Sequence, residues 1–306
     1  MTSKGIIAIM RAPFLTLALI MGVLGASVAW YEARRFGTPF HGGYAALATM
    51  GLLICHAAAN IFNEYFDCRS GLDYMTRRTP FSGGSGAIPN GLLTTRQALV
   101  SGIVCLLLVL PIGIFFTVVK GWLLAPLLAF AVLMILLYTP VILKMGYPEW
   151  SPGLGLGILP VLGAYFVHTG AYSVSAIAAS LPSYFLVHNL LLLNEFPDAE
   201  ADLKVGRRTL PIVLGKRRAA CIFSLFVVLV YLWVAGAVIA GPMPTWTLLS
   251  FLTLPLALQV IQGSFRYDDW DAFLPVMGKN VQLILSVQFL IALGYFLAGF
   301  LGGKAH

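Results

Sequence analysis

Long apolar runs, one after another, constrain this chain more than any other feature. Windows of about 18–22 apolar residues, enough for a helix to cross ~30 Å of hydrocarbon, recur at roughly 13–30, 43–66, 96–118, 121–141, 152–169, 173–196, 217–240, 245–262 and 281–302. The 306 residues would by length allow two soluble domains. Composition overrules that, because only 10% of residues are charged, against about 25% in ordinary soluble domains. The runs are too long and alternate too little for a transmembrane barrel. Residues 1–29 imitate a signal peptide, with a basic start and small residues Ser27 and Ala29 at the end. The run from Pro13 to Trp30 is nonetheless long enough to span, and it is read as the first helix. The expectation is an all-α polytopic membrane protein: about nine transmembrane helices around a central cavity, capped by cytoplasmic loops. It forms one domain over 1–306, with two halves at roughly 1–141 and 142–306.

Nine spans put the termini on opposite sides, and the cations choose between them. Fifteen of the 19 Lys and Arg residues fall on the N-terminal side, leaving Arg34, Arg35, Lys120 and Lys304 opposite. By the positive-inside rule the N-terminus is cytoplasmic, in a cytoplasmic (inner) membrane. This distribution also accounts for the net charge of +7, so no nucleic-acid partner is expected. Cys55, Cys68, Cys105 and Cys221 show no CxxC and no even spacing, which suggests neither a disulfide framework nor a zinc site.

The acids need a different explanation. Eleven of twelve lie on that same face, Glu32 being the exception, and topology requires only cations there. They concentrate in two near-copies, NEYFD at 63–67 and NEFPD at 194–198, each followed by RRT, at 77–79 and 207–209. On a helix Asn63 and Asp67 share a face with Asn60 and His56. Asp73 lies beyond Gly71, in the following loop. Asn194, Asp198 and Asp202 run i, i+4, i+8 down one stripe, and Pro197 is expected to bend that helix and free a carbonyl. Carboxylates and amide oxygens at a membrane interface suit Mg²⁺, which takes one or two carboxylates and leaves positions for phosphate oxygens. Guanidinium forks match a diphosphate. A lone D-x₃-D could be a solvated helix end; two copies on one face, each with arginines behind, point to a site for Mg²⁺ and diphosphate.

These stretches, NEYFDCRSGLD with RRT and NEFPDAEADLKVGRRTLPIVLG, resemble the two aspartate-rich motifs of the UbiA superfamily of intramembrane prenyltransferases. The likeness extends to RAPFLT (11–16), YTPVILKMGYPE (138–149) and the nine-span layout. The N-x₃-D-x₅-D spacing of the first motif is similar to the menaquinone branch, which prenylates 1,4-dihydroxy-2-naphthoate. The resemblance implies transfer from a polyprenyl diphosphate to a small acceptor, with Asp67, Asp198, Asn63 and Asn194 catalytic. It implies that Asn63, Asp67, Asp73, Asn194, Asp198 and Asp202 hold Mg²⁺, and that Arg78, Lys144, Arg208 and Tyr138 hold diphosphate. The chain departs from many relatives in reading TPFSGGSGAIPNG (79–91) where they carry an Arg-Pro step, which leaves acceptor contacts in this loop open.

The implied reaction ionises an allylic diphosphate, the metal and cations stabilising the leaving group, while the carbocation needs a dry, π-lined pocket. Phe62, Tyr65, Tyr138 and Phe185 are candidate linings, any one of which could equally be a core aromatic; Tyr138 is favoured. SGGSG (82–86) reads as a linker or, preferably, as a lid exposing backbone N–H groups. Glu149 is an acceptor-side base or a salt-bridge partner. Arg11 pairs with an acceptor carboxylate or, preferably, anchors topology. His56, His168 and His188 are expected to be buried and hydrogen-bonded. The alternatives are another aromatic or a non-aromatic isoprenoid acceptor and, from another class, a secondary transporter, which shares broken helices and intramembrane polar groups but keeps its site near the midplane. A CDP-alcohol phosphotransferase would need a D-G-x₂-A-R element, which is absent.

Overall fold

The protein is described here by a computed structural model covering residues 3–302; Lys304, counted above with the opposite face, lies outside the described residues. All regular structure among the described residues is helical. A short helix α1 (Ser3–Ile9) leads into α2 (Ala12–Phe36), followed by α3 (Gly42–Ser70), α4 (Thr95–Lys120) and α5 (Leu124–Leu137). The second half holds α6 (Trp150–Thr169), α7 (Val174–Lys204), the short α8 (Leu210–Leu214), α9 (Lys216–Ile239), α10 (Thr245–Ser264) and α11 (Trp270–Gly302). Eight of these are long and apolar enough to cross a membrane.

The fourth run is the one the structure shortens. Residues 121–141 were expected to span, yet α5 covers 14 residues, about 21 Å at 1.5 Å per residue. Three residues are lost at the start, 121–123, and at the other end Pro140 disfavours α-helical geometry at Thr139. Tyr138 caps the helix, its N–H still bonded to the Met134 carbonyl. Elsewhere local chemistry sets the boundaries. Thr94 and Gln97 form a reciprocal capping box that starts α4, and α3 ends on Gly71 at φ +81°.

The ring of helices closes because α11 packs along α2, joining the last span to the first. Helix α4 turns most of its surface outward, with Val100, Leu107, Leu108, Leu110, Ile114 and Val118 exposed, as a lipid-facing helix must. Close approach relies on small residues, since lipid gives helices no hydrophobic reason to associate. At Gly157 a Cβ would sit 2.8 Å from the Ser183 carbonyl of α7, so only glycine fits there. That contact lies in a π-helical stretch, Gly153–Ile158, a local widening that recurs at functional sites. Gly155 and Leu156 of this stretch line the central cavity.

Candidate active site

The carboxyl-terminal ends of α3 and α7 meet at one face of the ring. Helix α3 carries Asn63 and Asp67 one turn apart, and after Gly71 a single 3₁₀ turn, Leu72–Tyr74, tucks Asp73 inward to 4% exposure. Helix α7 runs through Pro197 without interruption to Lys204, two turns beyond the expected end, so Asn194, Asp198 and Asp202 form the stripe the spacing implied. All six residues, with Glu195 and Tyr138, line a single polar cavity of about 90 Å³. The two motifs therefore converge, although 131 residues separate them.

The cations differ from expectation. Arg207, not Arg208, faces the acids: it is paired with Asp67 and donates from Nη1 to Asp202 Oδ1 at 2.9 Å. The turn after α7 decides this. Gly206 at φ +79° reverses the chain, Arg207 N–H returns to the Asp202 carbonyl, and Arg208 N–H is drawn to the Leu143 carbonyl. The Arg208 side chain is left exposed, as is that of Lys144, and neither lines the cavity. Arg78 is also exposed and outside the lining; it binds the Asp73 carbonyl and Asn90 instead. Arg11 is the second cation that lines the cavity. It sits at φ +50°, the one described non-glycine residue with positive φ, and donates to the Phe81 carbonyl at 3.0 Å. The preference for Arg11 as a mere topology anchor misses this placement.

The glycine-rich segment is an ordered cover. Glu64, 1% exposed, accepts from Ser85 N–H at 2.6 Å and Ser85 Oγ at 2.7 Å. Gly83 and Gly84 then pass over the cavity with φ +77° and +73°. A Cβ on Gly84 would lie 2.8 Å from Asp73 Oδ1, so the backbone approaches the acids as only glycine can. The Gly83 amide lies against the Asp198 carboxylate.

The electrostatics show what the site lacks. Burial, with Glu64 and Asp67 adding to it, pushes the Asp73 carboxyl up to about 8. Burial also raises the Tyr138 phenol well above its ordinary value, with Glu195 beside it. For Arg207 burial alone would lower the pKa, and Asp67 with Asp202 more than offset it. Among the described residues Asp73 Oδ2 and Asp198 Oδ1 are buried without a hydrogen-bond partner, and the Glu195 carboxyl faces that of Glu149. Uncompensated carboxylate oxygens are costly. Among the described residues no three His, Cys or acidic side chains close a ready-made cage. The donor set fits a hard cation that brings its own waters and phosphate oxygens.

Below the acids opens an apolar cavity of about 310 Å³ whose walls include α3, α5, α6 and α7. Asn63, Asn194, Tyr138 and Arg11 line both spaces. Of the four aromatics proposed as linings only Tyr138 does so. Phe62 packs where α4 comes close at Gly102, Tyr65 contacts Phe66 and Arg69, and Phe185 meets Phe226. Phe14 and Phe116, which no local pattern singles out, take those places. Among the described residues Glu149 makes no ion pair; fully buried, its Oε1 accepts from Leu210 N–H at 2.6 Å and anchors the start of α8. His188 is buried and bonded to Tyr147. His56 and His168 are buried, but His56 Nδ1 and both ring nitrogens of His168 lack partners.

Residues 18–277 match the UbiA prenyltransferase family. A 1,4-dihydroxy-2-naphthoate octaprenyltransferase from Bacillus subtilis is 30% identical, over 79% of this chain and 78% of that protein. A digeranylgeranylglyceryl phosphate synthase from Pyrococcus abyssi is 31% identical, over 75% and 76%. The structure of a UbiA homologue from Archaeoglobus fulgidus bound to GPP and Mg²⁺ superposes with a TM-score of 0.63 at 17% identity, covering 94% of this chain and 99% of that one. That likeness is one of fold.

Proposed function

Because this chain belongs to the UbiA prenyltransferase family, we propose that it transfers a polyprenyl group from a polyprenyl diphosphate to an aromatic acceptor of the 1,4-dihydroxy-2-naphthoate type. The observation that carries the reading is the junction of two spaces. A polar cavity lined by both acidic motifs adjoins an apolar one, and Asn63, Asn194 and Tyr138 line both. A molecule with a charged head and a long hydrocarbon tail fits that junction, and its scissile C–O bond would lie at the boundary.

Asp67, Asp73, Asp198 and Asp202, with the amide oxygens of Asn63 and Asn194, would hold Mg²⁺. When bound, the ion screens the diphosphate and stabilises it as a leaving group. Arg207 and Arg11 supply fixed positive charge where negative charge grows as the bond breaks, the form of stabilisation that lowers a barrier most. Tyr138 keeps its phenol neutral, so it can donate a hydrogen bond to a diphosphate oxygen and present its π face to the allylic cation. The cover loop, held by Glu64, keeps water from that cation. The x₅ spacing of the first motif and the identity to the naphthoate enzyme support the acceptor class. The active face is assigned to the cytoplasmic side on the cation distribution.

Purified protein in detergent, given geranylgeranyl diphosphate, Mg²⁺ and a panel of dihydroxynaphthoate, other hydroxylated aromatics and a prenylglycerol phosphate, tests this directly. The expected product is prenylated naphthoate, lost on chelation. Asp67→Ala and Asp198→Ala should each lower turnover by at least a hundredfold while the far-ultraviolet spectrum stays helical. Retained turnover in either variant would remove the acids from the mechanism.

A further inference from the structure

Resting on the prenyl-donor reading above, we propose that Glu149 is a positioning residue: its side chain fixes the register of the segment after α7, so that Arg207 and not Arg208 meets the acids. Residues 207–209 join α7 to α8 outside any helix, and Thr209 is extended, at φ −80° and ψ 162°. Along an extended chain, successive side chains alternate between two sides. Arg207 and Thr209 accordingly turn inward, the first with a side chain 12% exposed and the second fully buried, while Arg208 turns outward. A slip of one residue would exchange the two arginines.

Two hydrogen bonds hold the register, and both acceptors belong to one stretch of chain. Arg208 N–H donates to the Leu143 carbonyl at 2.9 Å, and Leu210 N–H donates to Glu149 Oε1 at 2.6 Å. Amides two residues apart face the same way along an extended chain. The Leu143 contact joins backbone to backbone and would hold any amide that slid into its place. Glu149 supplies the side-chain half of the clamp, across 61 positions of sequence. It is fully buried and lines neither cavity, so it acts on the reaction through another group. Its carboxyl also faces that of Glu195, which does line the polar cavity. The group it positions is Arg207, which is paired with Asp67 and bonded to Asp202 and so joins the two acidic motifs. Misplacing such a group by about 1 Å can cost a hundredfold in rate.

Two conservative substitutions in the full-length protein separate reach from charge. Glu149→Asp keeps the carboxyl but withdraws it by one C–C bond, about 1.5 Å. The 2.6 Å contact then stretches to about 4 Å, beyond hydrogen-bonding range. Glu149→Gln removes the carboxyl but keeps an oxygen within reach of Leu210 N–H. With geranylgeranyl diphosphate, Mg²⁺ and dihydroxynaphthoate, turnover should fall at least tenfold in Glu149→Asp and stay within threefold of the parent in Glu149→Gln. A general base would give the reverse order, and that result would overturn the proposal. Should Glu149→Asp not fold, a tenfold loss in folded Glu149→Gln would overturn it equally.

A double variant identifies the route. Without Arg207 nothing remains to be positioned, so Glu149→Asp with Arg207→Gln should turn over within threefold of Arg207→Gln alone. Losses that multiply, or that merge with those of Glu195→Gln instead, would overturn the proposal. Melting temperatures measured without donor repeat the cycle: the fall in the double variant should be smaller than the two single falls together by at least 3 °C, and additive falls would overturn the positioning. A parent that turns over no donor would sink the donor reading alone, because the melting cycle decides the role of Glu149 without it.

Discussion

Replacing Arg207 by glutamine tests the electrostatic architecture most severely. In the parent, Asp67, Asp202 and Arg207 together carry one net negative charge, with side chains 10%, 2% and 12% exposed. Removing one partner of a buried pair costs about 3–5 kcal/mol. The fold has a way out: one orphaned carboxylate can take up a proton. From an ordinary aspartate value of about 3.9, doing so at pH 7 costs about 4 kcal/mol, at 1.36 kcal/mol per unit. The expected penalty at pH 7 is thus about 3–4 kcal/mol. At about 2–4 °C per kcal/mol for chains of this size, the melting temperature should fall by on the order of 10 °C. Acidification supplies that proton, so the penalty shrinks as pH falls and grows as pH rises. At pH 5 it should shrink to about 1.5 kcal/mol. Tryptophan fluorescence melts in detergent with EDTA, at pH 5 and pH 7, measure both values. Added Mg²⁺ should recover more stability in the variant than in the parent, because it supplies the missing positive charge. A variant melting within 2 °C of the parent at pH 7, or a loss that deepens on acidification, would refute the reasoning.

Two further outcomes follow from the same site. Asp73, whose carboxyl is pushed up to about 8, holds a proton at pH 7 that a metal ion must displace; half-saturating Mg²⁺ in thermal-shift titrations should fall as pH rises from 6.5 towards 8 and then level off, and Asp73→Asn should flatten the profile. Gly84→Val places a branched side chain at φ +73° with its Cβ 2.8 Å from Asp73 Oδ1. Strain of about 1–3 kcal/mol is expected, together with at least a tenfold loss of turnover; unchanged turnover would mean that the loop does not cover the reacting centre.

Much of this molecule is legible without coordinates, and for local reasons. Apolar runs specify spanning helices because lipid leaves a backbone no other partner, and the i, i+4 spacing of Asn63 with Asp67 and of Asn194 with Asp198 places each pair on one helical face. The run 121–141 shows where the same reasoning slips: it is apolar to its end, yet the helix covers only Leu124–Leu137 and Tyr138 lines the site from its C-terminal cap. Glycines at 82–86 signal a special backbone, but that the loop is an ordered cover depends on Glu64, buried beneath it.

What the sequence by itself determined is the helical membrane architecture and the helical face that carries Asn63 with Asp67 and Asn194 with Asp198, since both follow from patterns within single helices. What only the tertiary structure decided is which cations face those acids and which aromatics line the apolar cavity beneath them. Two adjacent arginines are chemically equal on paper; the Leu143 carbonyl, some sixty residues earlier in the chain, draws the Arg208 amide and leaves Arg207 to face Asp67. Phe116 is one apolar residue among many until α3, α5 and α6 close around it. Such choices are made by contacts between distant segments, and no local pattern encodes them.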